Sequence, residues 1–203
     1  MRDHWWWRPG WTVGRRFYTW HLTFDGQGDV HRLAAQYRAA LAPIEGVDPI
    51  PDEWLHLTMQ GVGFVGEVDQ ADVTAIVGTA RERLAAVPAF DVTLSKPVVD
   101  PEAILIPAQP DSPVRAVRDA IRASIGEVLP EVPETAEGFT PHVSVGYSNA
   151  TGPKTPFEET IASADIEPAR ARITHADLII IHRDNRMYEW EPVVKVPLGD
   201  QPA

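Results

Sequence analysis

A histidine followed two residues later by a hydroxyl side chain recurs three times in this chain, always inside an apolar run: His21-Leu22-Thr23, His56-Leu57-Thr58 and His142-Val143-Ser144. In an extended strand, residues i and i+2 share a face and stand roughly 6.5–7 Å apart. Each such strand offers one imidazole and one hydroxyl to a common surface, while Leu57 and Met59, or Val143 and Val145, turn toward a core. Imidazole exchanges protons near neutral pH, and a hydroxyl can donate a hydrogen bond to an oxygen on which negative charge builds. Two of these strands facing each other would supply a base, an acid and two oxyanion donors, the set that in-line displacement at phosphorus requires.

With seven histidines in the chain, roughly 0.7 His-x-Ser/Thr matches arise by chance, falling to about 0.1 when the middle residue and the one after the hydroxyl must both be apolar. Three such matches exceed chance, and the surrounding elements decide which two belong together. Aromatic and β-branched density predicts a strand over 16–24. The i, i+3, i+4 spacing of Val30, Leu33, Ala34, Tyr37 and Leu41 predicts a helix over 29–41. A loop with four prolines and glycines leads to a strand over 54–60, a helix over 69–86 and a strand over 90–96. The second half begins with a strand over 103–107. Val114, Val117, Ile121, Ile125 and Leu129 then mark one face of a helix over 112–129. A Pro- and Glu-rich loop over 130–138 leads to a strand over 142–147, a short helix over 156–163 and a strand over 172–182. Asp184-Asn185 reads as a turn before a last strand over 187–196, and the tail after Leu198 is expected to fray.

Both halves thus read strand, helix, loop, histidine strand, helix, strand. The expected fold class is α+β: one domain spanning 1–203, with two pseudo-symmetric lobes, about 16–98 and 99–198. Each lobe is an antiparallel sheet with flanking helices, the two face each other across a central cleft, and strand exchange between them is allowed. His56 and His142 hold equivalent places in the two halves. His21 lies on the strand before the first helix, where the second half has no histidine. It is therefore a neighbour of the cleft rather than half of the pair.

The paired motifs, HLTM at 56–59 and HVSV at 142–145 with Pro141 ahead of the second, resemble the two His-x-[Thr/Ser]-x signatures of the 2H phosphoesterase superfamily, which includes 2′,5′-RNA ligase-like proteins and cyclic phosphodiesterases. The resemblance runs through nearly the whole chain in motif order and spacing; the segment HWWWRPGW at 4–11 is no part of it. It implies a bilobal fold with a water-filled cleft. It also implies hydrolysis of a cyclic phosphodiester, typically a ribose 2′,3′-cyclic phosphate, with no metal and no cofactor. His56 and His142 would be catalytic, with Thr58 and Ser144 on the phosphate oxygens. Ligation to a 2′,5′ linkage is the alternative reaction of the same residues, and the sequence alone does not divide base from acid. Tyr147 and Trp20 (or Tyr18) are candidate platforms for a base, His21 a candidate substrate contact, and Arg15 and Arg16 candidate phosphate contacts. Two further classes compete. A nucleotide- or RNA-end-binding module without turnover would not need two imidazoles. A metallohydrolase built on His21, His56 and His142 lacks a carboxylate at ligand spacing.

Composition narrows the partners. Cysteine is absent, which removes disulfides, thiolate metal sites and a cysteine nucleophile. A net charge of −11 argues against long nucleic acid, whose binding rests on neutralising many phosphates, but leaves room for a small nucleotide or a short RNA end. No apolar run approaches the ~20 residues of a membrane span, and the first residues carry arginine and tryptophan where a signal peptide would be smoothly apolar. The expectation is a cytoplasmic monomer acting on a small substrate, with the N-terminal tryptophans forming a packing strap.

Overall fold

A computed structural model describes residues 1–200. In chain order the elements are β1 (Phe17–Thr23), α1 (Gly28–Leu41), β2 (Val47–Pro49), β3 (His56–Phe64), α2 (Gln70–Leu84), β4 (Phe90–Leu94) and β5 (Val98–Val99), followed by β6 (Ala103–Gln109), α3 (Asp111–Gly126), β7 (His142–Ser148), α4 (Thr155–Ser163), β8 (Ala169–Ile173), β9 (His175–His182) and β10 (Glu189–Pro197). They form two antiparallel sheets, one ordered β10-β9-β1-β3 and the other β2-β7-β6-β4-β8 with β5 on β6. The α+β class and the bilobal plan match the expectation from the sequence.

The sheets do not divide at residue 98. The first takes β9 and β10 from the C-terminal half, and the second takes β2 and β4 from the N-terminal half. Helices cross over as well. α2 and α3 pack on each other and against β10 and β3 of the first sheet, whereas α1 and α4 pack together, with α1 against β7 and β8 of the second. Each half of the sequence therefore carries parts of both lobes, an exchange of strands that the two-lobed expectation allowed. A second difference concerns the segment 172–182, which is not one strand. It breaks at Thr174 into β8, paired with β4, and β9, paired with β1 and β10. Trp54 closes a 3₁₀ turn over Asp52–Trp54 rather than opening the strand, which starts at His56.

Helix periodicity translates directly into burial. Val30, Leu33, Ala34, Tyr37 and Leu41 form the buried stripe of α1, and Val114, Val117, Ile121 and Ile125 that of α3. Each fully buried aliphatic side chain stabilises the fold by roughly 1.5–3 kcal/mol. Arg118 also lies on the buried stripe of α3. Its guanidinium donates to the carbonyls of Met59, Thr135 and Ala136, at 2.9 Å each, and stands over the Phe139 ring. A buried cation is tolerable only when its donors are filled, and here they tie the loop before β7 to the motif strand β3. Gly61 serves the same junction: a Cβ there would lie 2.7 Å from the Glu134 carboxylate of that loop and 2.9 Å from the Phe17 ring. At the C-terminus, Leu198 is buried and Gly199 hydrogen-bonds to Val87, so the chain stays docked past Leu198; residues 201–203 lie outside the described residues. No helix among the described residues is long and apolar enough to cross a membrane.

Candidate active site

Between the sheets lies a cleft of about 430 Å³ whose walls include His56, Thr58, His142, Ser144 and His21. Strand pairing explains the convergence. On the first sheet His56 pairs with Thr23 and Thr58 with His21; on the second, His142 pairs with Pro107 and Ser144 with Leu105. The two strand pairs are counterparts, and His21 stands where the other lobe has Leu105.

Both motif histidines are fixed in the same way. His56 Nδ1 lies 2.9 Å from the carbonyl oxygen of Trp54, and His142 Nδ1 lies 2.7 Å from that of Thr140, in each case two residues upstream. A carbonyl only accepts, so each Nδ1 carries the proton and donates it. Nε2 is then the free nitrogen on each ring, an acceptor when the ring is neutral and a donor when it is charged.

Their surroundings differ. His56 is 7 % exposed, whereas His142 is half-buried. The His21 ring lies flat against that of His56, centroids 4.2 Å apart and planes 3° from parallel. Trp190 meets His56 edge-on at 5.3 Å and is itself braced by Trp54 at 4.8 Å. Burial, reinforced by the charge His142 can carry and opposed only by the Trp54 carbonyl, pulls the His56 pKa down to about 4. Burial and the neighbouring His56 likewise hold His21 well below the ordinary imidazole value. His56 is therefore neutral at pH 7, with an unprotonated Nε2.

The hydroxyls differ in parallel. Thr58 is exposed in the cleft, whereas Ser144 is 7 % exposed. Tyr147 lines the cleft but is only 4 % exposed, with His4 stacked on its ring at 4.3 Å. It belongs to the cleft wall and has no open face for a base. Trp20 is a correction: it is fully buried in the core and cannot stack a substrate. Period two in β1 sends Phe17, Thr19 and His21 to the cleft and Tyr18, Trp20 and Leu22 to the core. His21 in turn is 1 % exposed beneath His56, a group that backs the His56 ring more than it opens to the cleft. Tyr18 bonds to Gln70, and Arg15 and Arg16 are committed to Glu67 and Asp184, away from the cleft walls.

Residues outside the motifs complete the cleft. His4, Arg8 and Trp11 reach it from the N-terminal segment, with Glu102 before β6 and Tyr188 before β10. Their signal in the sequence is the local excess of arginine and tryptophan, but that segment has no periodicity to show which way a side chain turns. Tyr188 is hydrogen-bonded to His4 Nε2 at 3.0 Å and packs edge-on near His56 at 6.3 Å. Among the described residues no group of three or more His, Asp or Glu side chains is placed to hold a metal ion. Stacked imidazoles such as His21 and His56 direct their lone pairs in parallel planes rather than at a common point.

A family model for the 2′-5′ RNA ligase superfamily matches residues 26–185. No match is found among curated proteins. Solved structures with the same fold include TT0787 of Thermus thermophilus, with a TM-score of 0.70 and 17 % identity over 93 % of this chain and all of that one. Escherichia coli LigT complexed with 3′-AMP superposes with a TM-score of 0.68 and 16 % identity, over 91 % of this chain and 98 % of LigT. LigT complexed with phosphate gives 0.66 and 15 %, over 92 % and 99 %. With the family model spanning most of the chain and both histidine motifs facing one cleft, this protein belongs to the 2′-5′ RNA ligase superfamily of 2H phosphoesterases.

Proposed function

We propose that this chain is a metal-independent phosphodiesterase that opens a nucleoside or RNA-terminal 2′,3′-cyclic phosphate, with His56 as general base and His142 as general acid. One observation carries the reading: both rings are tethered through Nδ1 to a carbonyl two residues upstream, which frees two Nε2 atoms in one cleft. The buried, neutral His56 suits the base; the half-buried His142 suits the acid. Water attacks phosphorus as His56 Nε2 takes its proton. The bond to one ribose oxygen breaks, His142 Nε2–H protonates that oxygen, and a ribose phosphomonoester with a free neighbouring hydroxyl remains. Thr58 and Ser144 donate to the non-bridging oxygens as charge builds.

The substrate is small. A cleft of about 430 Å³ is the size of a nucleotide site, and a chain of net charge −11 repels an extended polyanion. LigT, of like fold, binds 3′-AMP, a ribose phosphomonoester of the kind this reaction releases.

The test is a panel of 2′,3′-cyclic and 3′,5′-cyclic nucleotides and 2′,3′-cyclic-phosphate-ended oligonucleotides, assayed with chelator present. Turnover of the 2′,3′-cyclic substrates to a phosphomonoester is expected. Loss of turnover in chelator contradicts the metal-independent reading, and joining of RNA ends without hydrolysis favours the ligase direction.

A further inference from the structure

One wall of the cleft is built by residues 1–16, which lie ahead of the family match at 26–185 and form no helix or strand. The segment is a strap fastened to both sheets. His4 N–H donates to the Ser148 carbonyl at 2.8 Å and Trp5 Nε1–H to Asp48 at 2.9 Å, both on the second sheet. Trp11 packs on Phe17 and Phe64 of the first. Arg183, 4 % exposed, clamps the strap by donating to the His4 carbonyl at 3.0 Å.

The strap delivers Arg8 to the cleft. Among the cleft-lining residues described, Arg8 is the one guanidinium, and Asp100, Glu102 and Glu134 line the same cleft. It is not needed merely to neutralise Glu102. Arg2 Nε already pairs with Glu102 Oε1 at 2.8 Å, and Trp6 Nε1–H reaches the same oxygen at 3.2 Å. Arg8 Nη2 adds a contact to Oε2 at 2.8 Å, so two guanidiniums share one carboxylate. Arg8 Nε is buried without a partner, and a buried donor left unfilled is costly unless something comes to it. A guanidinium held by one edge, with donors to spare, is suited to a phosphate.

Building on the cyclic phosphodiesterase reading, we propose that Arg8 is an anion subsite for a second phosphate group on the substrate, distinct from the phosphate attacked between His56 and His142. The preferred substrate class is then a 2′,3′-cyclic nucleotide bearing another phosphate, either a 5′-phosphate or the internucleotide diester of an RNA end.

Calorimetric binding separates this from the catalytic reading, because it needs no turnover. The probes are adenosine 3′-monophosphate, adenosine 3′,5′-bisphosphate and the dinucleotide ApA ending in a 3′-phosphate, each tested beside its 2′-phosphate isomer. One or both two-phosphate probes should bind about tenfold tighter than the monophosphate to the wild-type protein. Gain by the bisphosphate alone identifies a 5′-phosphate subsite, and gain by the dinucleotide alone an internucleotide one. Arg8→Gln should erase the gain and Arg8→Lys should keep part of it. Arg2→Gln, which removes the outward guanidinium from the same carboxylate, should preserve it. If the monophosphate binds but neither larger probe gains more than about twofold, the subsite is overturned and the nucleotide site stands. If Arg2→Gln erases the gain as fully as Arg8→Gln, the effect belongs to strap anchoring and the subsite is again overturned. If no probe binds, the nucleotide reading falls with it.

Discussion

His56 and His142 share a tether and differ in everything around it. Each donates Nδ1–H to the carbonyl two residues upstream, a geometry set by the strand start that any His at this place can reach. Behind His56 stand His21, Trp190 and, through Trp190, Trp54; the strand beside His142 offers Pro107 and Leu105. The first lobe thus holds its imidazole in a dry aromatic box that disfavours charge, while the second leaves its imidazole half-exposed. A pseudo-symmetric fold has two equivalent histidines, and unequal packing gives them unequal surroundings. On the proposed mechanism, acid and base are divided by the side chains packed behind the rings, not by the motifs.

The largest effect should come from deleting either ring. His56→Ala and His142→Ala should each lower kcat by about 10²–10⁴-fold in a steady-state assay of 2′,3′-cyclic nucleotide hydrolysis. Retention of activity within about tenfold by one of them breaks the pairing. Next is the hydroxyl exposed in the cleft: Thr58→Val should cost about 10²-fold in kcat with little change in KM, as for loss of one oxyanion donor.

The aromatic box also has a cost in acid. His56 and His4 are both held at about 4, the latter by burial and by Arg8 and Arg183. Between about pH 6.5 and pH 4 the unfolded chain takes up protons that the folded chain refuses. Stability is therefore full above that window and declines as pH falls through it, by up to on the order of 3 kcal/mol for each histidine. Thermal unfolding followed by circular dichroism from pH 7 to 4 should show Tm dropping; a Tm constant over that range contradicts the neutral, buried state. The smallest effect sharpens the comparison most. Trp190→Ala opens the box, so the acid limb of the kcat/KM profile, expected near pH 4, should move up toward 6.5. An unmoved limb means Trp190 does not set the His56 environment.

Much of this was legible in the sequence because it is local. The His-x-Thr/Ser spacing follows from the two-residue period of a strand, and the helix stripes from the 3.6-residue period. Sheet membership was not legible: whether α1 covers its own lobe or the other depends on contacts far apart in the chain, and the break at Thr174 is imposed by β8 and β9 joining different sheets. Trp20 and His21 are adjacent on one strand and cannot both face the cleft, so the two-residue period alone assigns Trp20 to the core once His21 faces the cleft. Arg8 and His4 were hidden for a different reason. Their segment has no repeat, and only its anchors on Ser148, Asp48 and Phe64 decide what it presents.

The division of labour is tested most directly by leaving group. A ribose oxygen must be protonated to depart, whereas p-nitrophenolate leaves without help, so an aryl phosphodiester of a nucleoside dispenses with the acid but not the base. His142→Ala should lose at least about 10²-fold in kcat/KM on the 2′,3′-cyclic phosphate yet fall within about tenfold of wild type on the aryl ester, while His56→Ala should be impaired by at least about 10²-fold on both. Equal impairment of the two variants on the aryl ester, or rescue of His56→Ala instead, would contradict the assignment of His56 as base and His142 as acid.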